Sequence, residues 1–123
     1  MTVPAGEGFP KAARIRRRGE FLAIGRIGER RHTEHFVLLA RPRTGASRLG
    51  LTVSRKVGGA VVRNLVKRRV RGIFRRDPAR LLPESDLIVI AKPGAGAVTS
   101  RDIERELHTS ARAMRHRRTR RGS

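Results

Sequence analysis

The chain contains no cysteine, no tryptophan and no tyrosine, and its only aromatic residues are four phenylalanines. The absence of cysteine excludes a disulfide framework and any thiolate metal site. No segment approaches the roughly 18 consecutive apolar residues of a membrane-spanning helix, and the N-terminus lacks the apolar run of a signal peptide. We therefore expect a soluble, cytoplasmic protein with no membrane partner.

The chain also lacks the residue patterns that metal-dependent or acid–base catalysis requires. Its ten acidic residues are scattered, whereas a metal-dependent nuclease needs clustered carboxylates. Asp102 and Glu106 share a helical face, but acids near a helix N-terminus are expected from the helix dipole alone. The four histidines have no metal-ligand spacing. The sequence therefore predicts no catalytic residues, no cofactor bound by the protein and no small-molecule substrate.

Positive charge is what the chain has in excess. Lysine and arginine total 30 against 10 acidic residues, which gives a formal net charge of +20. A small domain needs far less charge than this for solubility. Because a strongly cationic surface attracts polyanions, the composition favours a nucleic-acid partner.

Residues 60–76 combine basic and apolar positions at helical spacing and contain no acid. At roughly 100° per residue, the apolar residues collect on one side of the predicted helix. The other side is a basic face that consists of Arg63, Asn64, Lys67, Arg68, Arg71 and Arg75. Aligned like charges repel one another, and an external anion would offset that repulsion. We therefore predict that this face binds nucleic acid, together with Arg55 and Lys56 in the glycine-containing loop before the helix.

The remaining periodicities predict a single α+β domain with the element order αβββαβα. We expect helices over residues 14–24 and 60–76 and from residue 99 or 100 onwards, an edge strand within 26–33, and strands over 36–40, 49–53 and 87–91. A chain of 123 residues fits one domain. We predict a mobile arm over residues 1–12, one RNA-binding domain over 13–116 and a basic tail over 117–123.

Phe21 has two interpretations at this stage. It is either a core residue packed with its neighbours Leu22 and Ile24, or a platform on which an unpaired base stacks. Apolar aromatics are more often buried than exposed, so the core interpretation is favoured, and the sequence leaves both open.

Residues 48–71, RLGLTVSRKVGGAVVRNLVKRRVR, resemble the signature region of the bacterial ribonuclease P protein subunit. Upstream, Arg14 and the pair Glu20–Phe21 resemble the basic N-terminal helix of that family. Downstream, residues 86–95 resemble its last strand and the turn that follows. The resemblance extends over residues 14–115 in the same order and at the same spacing.

The resemblance implies a four-stranded sheet packed with helices, similar to the second domain of ribosomal protein S5, with a left-handed β–α–β crossover. It also implies an accessory role, because the catalytic subunit of that enzyme is an RNA that requires Mg²⁺ and removes the 5′ leader of precursor tRNA. The residues implied to contact the catalytic RNA are Arg55, Lys56, Arg63, Asn64, Lys67, Arg68 and Arg71. Those implied to form the cleft for the leader are Arg14, Arg17, Phe21, Thr52 and Ser54, where the small face of the 48–54 strand leaves room for nucleotides.

Two positions depart from the family pattern. Leu65 stands where the family usually has arginine, and Gly25 stands where it usually has a second aromatic residue in the cleft. Arg69 could supply the missing cation, although it points elsewhere on the helix. The residues alone leave three alternatives: a ribosomal or rRNA-binding structural protein, a DNA-compacting protein, and an enzyme with its own active site.

Overall fold

The computed structural model describes residues 13–15, 17–76 and 81–122, with side chains up to Met114 except that of Ile27. The elements are α1 (Arg18–Ile27), β1 (Glu29–His32), β2 (Phe36–Pro42), β3 (Arg48–Thr52), α2 (Ala60–Arg76), β4 (Ser85–Ala91), a 3₁₀ turn (Ala95–Ala97) and α3 (Ser100–Gly122). This order matches the predicted αβββαβα. The predicted arm, residues 1–12, lies outside the described residues.

The four strands form one mixed sheet in the order β1-β2-β4-β3. β2 pairs antiparallel with both β1 and β4, whereas β3 and β4 run parallel and are joined by α2. Strand β4 lies between β2 and β3, which explains why its sequence is apolar without alternation. The predicted four-stranded α+β fold is confirmed, and the hand of the crossover through α2 stays a prediction.

The two faces of the sheet carry separate apolar clusters. The larger cluster packs α2 and α3 against one face, through residues such as Leu38, Leu87 and Val89. The smaller cluster lies on the opposite face and consists of Ile15, Ile24, Leu39 and Ile88, with Phe21, Val37 and Ile90 packed against it. Helix α1 therefore covers only part of a face that α2 and α3 do not reach.

Helices α2 and α3 follow the predicted amphipathic patterns. In α2 the buried residues are Val66, Val70, Ile73 and Phe74. In α3 the predicted stripe of Ile103, Leu107, Ala111 and Met114 is fully buried. The backbone of α3 remains helical to Gly122, so it has no break at residue 117, where the basic tail was predicted to begin. No helix among the described residues is long and apolar enough to cross a membrane.

The predicted start of the first helix is wrong. Helix α1 begins at Arg18 rather than residue 14, because Arg14 and Ile15 pair with the edge of β3. Arg14 forms an isolated parallel bridge with Leu49, and the Ile15 amide donates a 2.9 Å hydrogen bond to the Leu49 carbonyl. Burial of Ile15 in the smaller cluster adds to this pairing. A long-range strand contact therefore replaces the first turn that local pattern predicted.

Candidate nucleic-acid interface

The basic face of α2 lies beside its buried residues on the helix surface, and Arg63 is closest to them. Asn64, Arg68 and Arg75 are exposed, while Arg63, Lys67 and Arg71 are half-buried. No acid occurs in the helix. The Nε of Arg63 is buried and has no hydrogen-bond partner among the described residues. A buried donor without a partner is costly, and an anion reaching the helix would satisfy it.

Arg14 supplies a further cation next to the basic face of α2. Burial lowers the pKa of the Arg71 guanidinium, and repulsion from Arg14 lowers it further. Arg14, which is paired with the edge of β3, therefore lies near enough to Arg71 on the basic face of α2 for their charges to repel. Fixed like charges at close range favour an anion that contacts both.

The loop between β3 and α2 carries the two other predicted RNA contacts, Arg55 and Lys56, which are both exposed. A tight turn forms here, in which the Val57 amide donates to the Ser54 carbonyl and the Gly58 amide to the Arg55 carbonyl. A Cβ built on Gly58 would lie 2.9 Å from Val62, so the absence of a side chain lets the loop pack on the first turn of α2. The turn therefore presents both cations beside the start of the basic face.

Arg69 does not replace the cation missing at Leu65. Its Nη1 donates a short hydrogen bond to the carbonyl of Val98, which lies just before α3. This contact ties the middle of α2 to the segment preceding α3, and it occupies the guanidinium on the side of the helix away from the basic face. Leu65 itself is half-buried.

Phe21 lies over Gly50 on the face of the sheet that α1 covers. A Cβ built on Gly50 would be only 2.7 Å from Cζ of Phe21 and 3.2 Å from Cβ of Ile15. The space at Gly50 is therefore filled by the Phe21 ring and is not open to nucleotides, contrary to the prediction. Phe21 is half-buried, so it packs against the smaller cluster and is also partly exposed to solvent.

The open part of this face lies at the next row of cross-strand neighbours, two residues beyond Gly50 on β3. Val37 on β2, Ile90 on β4 and Thr52 on β3 are in register across the sheet. Thr52 is exposed, and Val37 and Ile90 are half-buried. This row borders Phe21 and forms a shallow apolar floor with a hydroxyl at its β3 end. Val37 and Ile90 were not predicted as part of the cleft, because both occupy positions in the sequence that are typical of strand core.

The two remaining predicted cleft residues lie just before α1 and just after β3. Arg17 is exposed immediately before α1, and its carbonyl accepts the amides of Glu20 and Phe21. Ser54 is exposed just after β3, where its Oγ accepts the Lys56 amide at 3.3 Å. Ser54 thereby connects the cleft to the turn that carries Arg55 and Lys56. The structure thus places the predicted leader contacts and the predicted catalytic-RNA contacts on adjoining surfaces.

An ion-pair network that the sequence analysis missed lies at the other end of the α1 face. Arg41, Asp86 and Arg48 are in register on β2, β4 and β3. Asp86 accepts hydrogen bonds from Arg48 at 2.8 and 3.0 Å and from Arg41 at 3.1 Å. Burial alone would raise the pKa of Asp86, but these two arginines hold it below its ordinary value. Asp86 is therefore a buried carboxylate whose charge is fully paired.

The Asp102–Glu106 face of α3 has a structural role. Glu106 accepts hydrogen bonds from the Thr33 hydroxyl at 2.7 Å and from the His35 amide at 2.9 Å, and its second oxygen lies 2.6 Å from His35 Nδ1. It ties the β1–β2 turn to α3. Among the described residues, no group of three or more histidine, aspartate or glutamate side chains is placed to hold a metal ion.

Comparison with known proteins agrees with this arrangement. The family model described as ribonuclease P matches residues 9–115. The chain belongs to the ribonuclease P protein family. Two ribonuclease P protein components illustrate the similarity within this family. That of Citrifermentans bemidjiense is 43% identical over 100 residues, which cover 80% of this chain and 85% of the relative. That of Desulfovibrio desulfuricans is 48% identical over 91 residues, covering 72% and 70%.

Solved structures of ribonuclease P proteins share the fold. A Staphylococcus aureus RNase P protein mutant, described as defective in mRNA degradation activity, has a TM-score of 0.78 and 31% identity, covering 85% of this chain and 90% of that one. The Thermotoga maritima RNase P protein has a TM-score of 0.71 and 36% identity, covering 80% and 94%. Family membership makes this chain a protein component of an endoribonuclease that acts in tRNA processing, and the ribosomal alternative is not favoured.

Proposed function

We propose that this chain is an accessory, non-catalytic subunit that binds the ribonuclease P RNA and the 5′ leader of precursor tRNA in the cytoplasm. The RNA cleaves the precursor to leave the mature 5′ end. The main support is the basic face of α2, because its cations are aligned on one helix that contains no acid. In this proposal the protein binds no cofactor of its own, and the Mg²⁺ that the ribonucleoprotein requires is held by RNA.

The basic face of α2 is the surface that suits a folded RNA. Its cations are arranged along one rigid helix, and rigid spacing favours phosphates that are themselves held at fixed positions. The unpartnered Nε of Arg63 and the repulsion between Arg14 and Arg71 would both be relieved by phosphate oxygens. We therefore assign Arg55, Lys56, Arg63, Asn64, Lys67, Arg68 and Arg71 to the catalytic RNA.

The cleft beside α1 suits a single strand. It offers one accessible aromatic ring, a shallow apolar floor and flanking cations, which is the combination that binds unpaired nucleotides through stacking and phosphate contacts. We assign Arg17, Phe21, Thr52 and Ser54 to the leader, together with Arg14, which lies where this cleft meets the basic face of α2. Because Gly25 supplies no second ring, phosphate contacts should contribute more here than stacking does.

Arg68→Ala tests the α2 assignment. Each neutralised phosphate contributes about 0.9 to the slope of log K against log salt. If Arg68 meets one phosphate, the variant should bind the catalytic RNA roughly tenfold more weakly near 0.1 M salt, with a slope smaller by about 1. Filter-binding titrations over a range of salt concentrations would measure both quantities.

Arg76→Ala is the matched control for this measurement. Arg76 lies on the same helix and is exposed, but its guanidinium is paired with Glu104 at 2.7 Å. The two variants have the same net charge. We expect Arg76→Ala to leave the affinity and the salt slope nearly unchanged. Equal losses in the two variants would show that the RNA responds to total charge alone, which contradicts a specific basic face.

A further inference from the structure

One residue connects helix α1 to the ion-pair network of Arg41, Asp86 and Arg48. Glu20, in the first turn of α1, accepts a hydrogen bond from Arg48 Nη2 at 2.7 Å. The same guanidinium is bound to Asp86 through Nε at 2.8 Å and Nη2 at 3.0 Å. Arg48 therefore bridges a carboxylate buried in the central strand and a carboxylate on the helix.

The sheet side of this bridge is rigid. The Asp86 side chain is 2% exposed and is held by Arg41 as well as Arg48. Its hydrogen bonds to Arg48 raise the pKa of that guanidinium despite the opposing effect of burial. A planar guanidinium that is bound on one edge has little freedom left to reorient. Arg48 therefore offers Glu20 a contact point whose position is set by β3 and β4.

On the helix side, the first turn of α1 has no side-chain cap. The residue before α1, Arg17, makes no side-chain capping hydrogen bond, and Glu20 is the acid in the first turn. Glu20 directly precedes Phe21, and Arg48 is two residues before Gly50 on β3. The bridge thus joins α1 to β3 immediately beside the point where the Phe21 ring covers Gly50, at 2.7 Å from the position that a Cβ on this glycine would take.

We propose that Glu20 and Arg48 are positioning residues for the leader cleft: the hydrogen bond between them holds the first turn of α1 on the sheet and thereby sets where the Phe21 ring borders the open floor. This inference rests on the proposed binding of the 5′ leader. It assigns a specificity role to two residues that lie outside the predicted contact set and touch no nucleotide in the proposal.

Three substitutions distinguish the effect of the Glu20–Arg48 hydrogen bond from the effect of the negative charge on Glu20. Glu20→Ala removes the contact, while Glu20→Gln has the same net charge but keeps an oxygen that accepts from Arg48. Glu104→Ala is the matched control, because it breaks an ion pair of equal length between α2 and α3. Each protein is assembled with the catalytic RNA, and its affinities for a precursor with a leader and for mature tRNA are compared at a temperature where melts show it folded.

We expect Glu20→Ala to reduce the preference for the leader-bearing precursor about fivefold, the low end of what one stacked base contributes. Glu20→Gln should stay within about twofold of the parent, since it retains the hydrogen bond, and Glu104→Ala should match the parent. Arg48→Lys keeps the charge but cannot bridge two carboxylates with one planar fork, so it should behave like Glu20→Ala. A folded Glu20→Ala protein with undiminished preference, or equal losses for Gln and Ala, would overturn the inference.

Hydrogen exchange in the free protein distinguishes this inference from the function on which it rests. The amides of residues 21–24 should lose protection in Glu20→Ala but keep it in Glu20→Gln. If the parent protein shows no leader preference, the leader-binding proposal fails. Loss of protection in Glu20→Ala would then still support the positioning of α1, and unchanged protection would refute it.

Discussion

Asp86→Ala is expected to lower the free energy of unfolding by about 3 kcal/mol. Removing one partner of a buried ion pair typically costs about 3–5 kcal/mol, because the remaining charge loses its compensation. The lower end applies here since Arg41 and Arg48 keep 27% and 18% of their side-chain surface exposed. Chemical denaturation of the free protein would measure the loss.

The control for this prediction is the exposed pair formed by Arg76 and Glu104. Glu104→Ala should cost no more than about 1 kcal/mol, as surface ion pairs generally do. A loss below about 1 kcal/mol in Asp86→Ala would contradict the importance of the network for folding.

The network also predicts how stability depends on pH. Because the pKa of Asp86 is held below the ordinary value of 3.8, its contribution is complete above that value and is lost as the pH falls through the lower, folded-state pKa. The difference in unfolding free energy between the parent and Asp86→Asn should therefore shrink on acidification below about pH 4. A difference that is constant down to the lowest pH at which both proteins fold would contradict this account.

Phe21→Ala is expected to weaken the binding of precursors that carry a 5′ leader, while the affinity for mature tRNA stays the same. A stacked base contributes about 1–3 kcal/mol, which corresponds to roughly 5- to 150-fold in affinity. Stacking depends little on salt, so the slope of log K against log salt should not change, in contrast to Arg68→Ala. Titrations of the assembled ribonucleoprotein with both RNAs would measure the difference.

Because Phe21 also packs against Gly50 and Ile15, the alanine variant should lose some stability as well. Phe21→Leu keeps an apolar side chain on Gly50 but has no aromatic face, so it should fold and still lose leader preference. Gly50→Ala should displace the ring, because its Cβ would lie 2.7 Å from the far end of the Phe21 side chain. Full leader preference in a folded Phe21→Leu protein would return Phe21 to the purely structural interpretation.

The sequence pattern alone was enough to predict those elements whose structure depends on local periodicity. The basic and apolar residues of α2 separate at helical spacing, and the observed helix has the predicted bounds, residues 60–76. The buried stripe of α3 follows the same rule. The central strand was recognisable because a strand buried on both faces has no polar alternation.

The errors have a common cause in long-range contacts. The first helix begins late because Ile15 pairs with Leu49, a partner far along the chain. The bridge from Glu20 through Arg48 to Asp86 joins positions that are 28 and 38 residues apart, and no local pattern indicates such pairing. In the same way, the small face of the 48–54 strand was interpreted as room for nucleotides, whereas at Gly50 the Phe21 ring occupies that space.

The central claim is that this chain supports cleavage by an RNA and does not cleave RNA itself. The most direct measurement is the cleavage of precursor tRNA by the purified protein alone, by the catalytic RNA from the same genome alone, and by the two together over a Mg²⁺ titration. We expect no cleavage by the protein alone and, on adding it to the RNA, cleavage at lower Mg²⁺ concentration with tighter precursor binding, because its cations reduce repulsion between RNA phosphates. Sustained cleavage at the mature 5′ end by RNA-free protein would contradict the account.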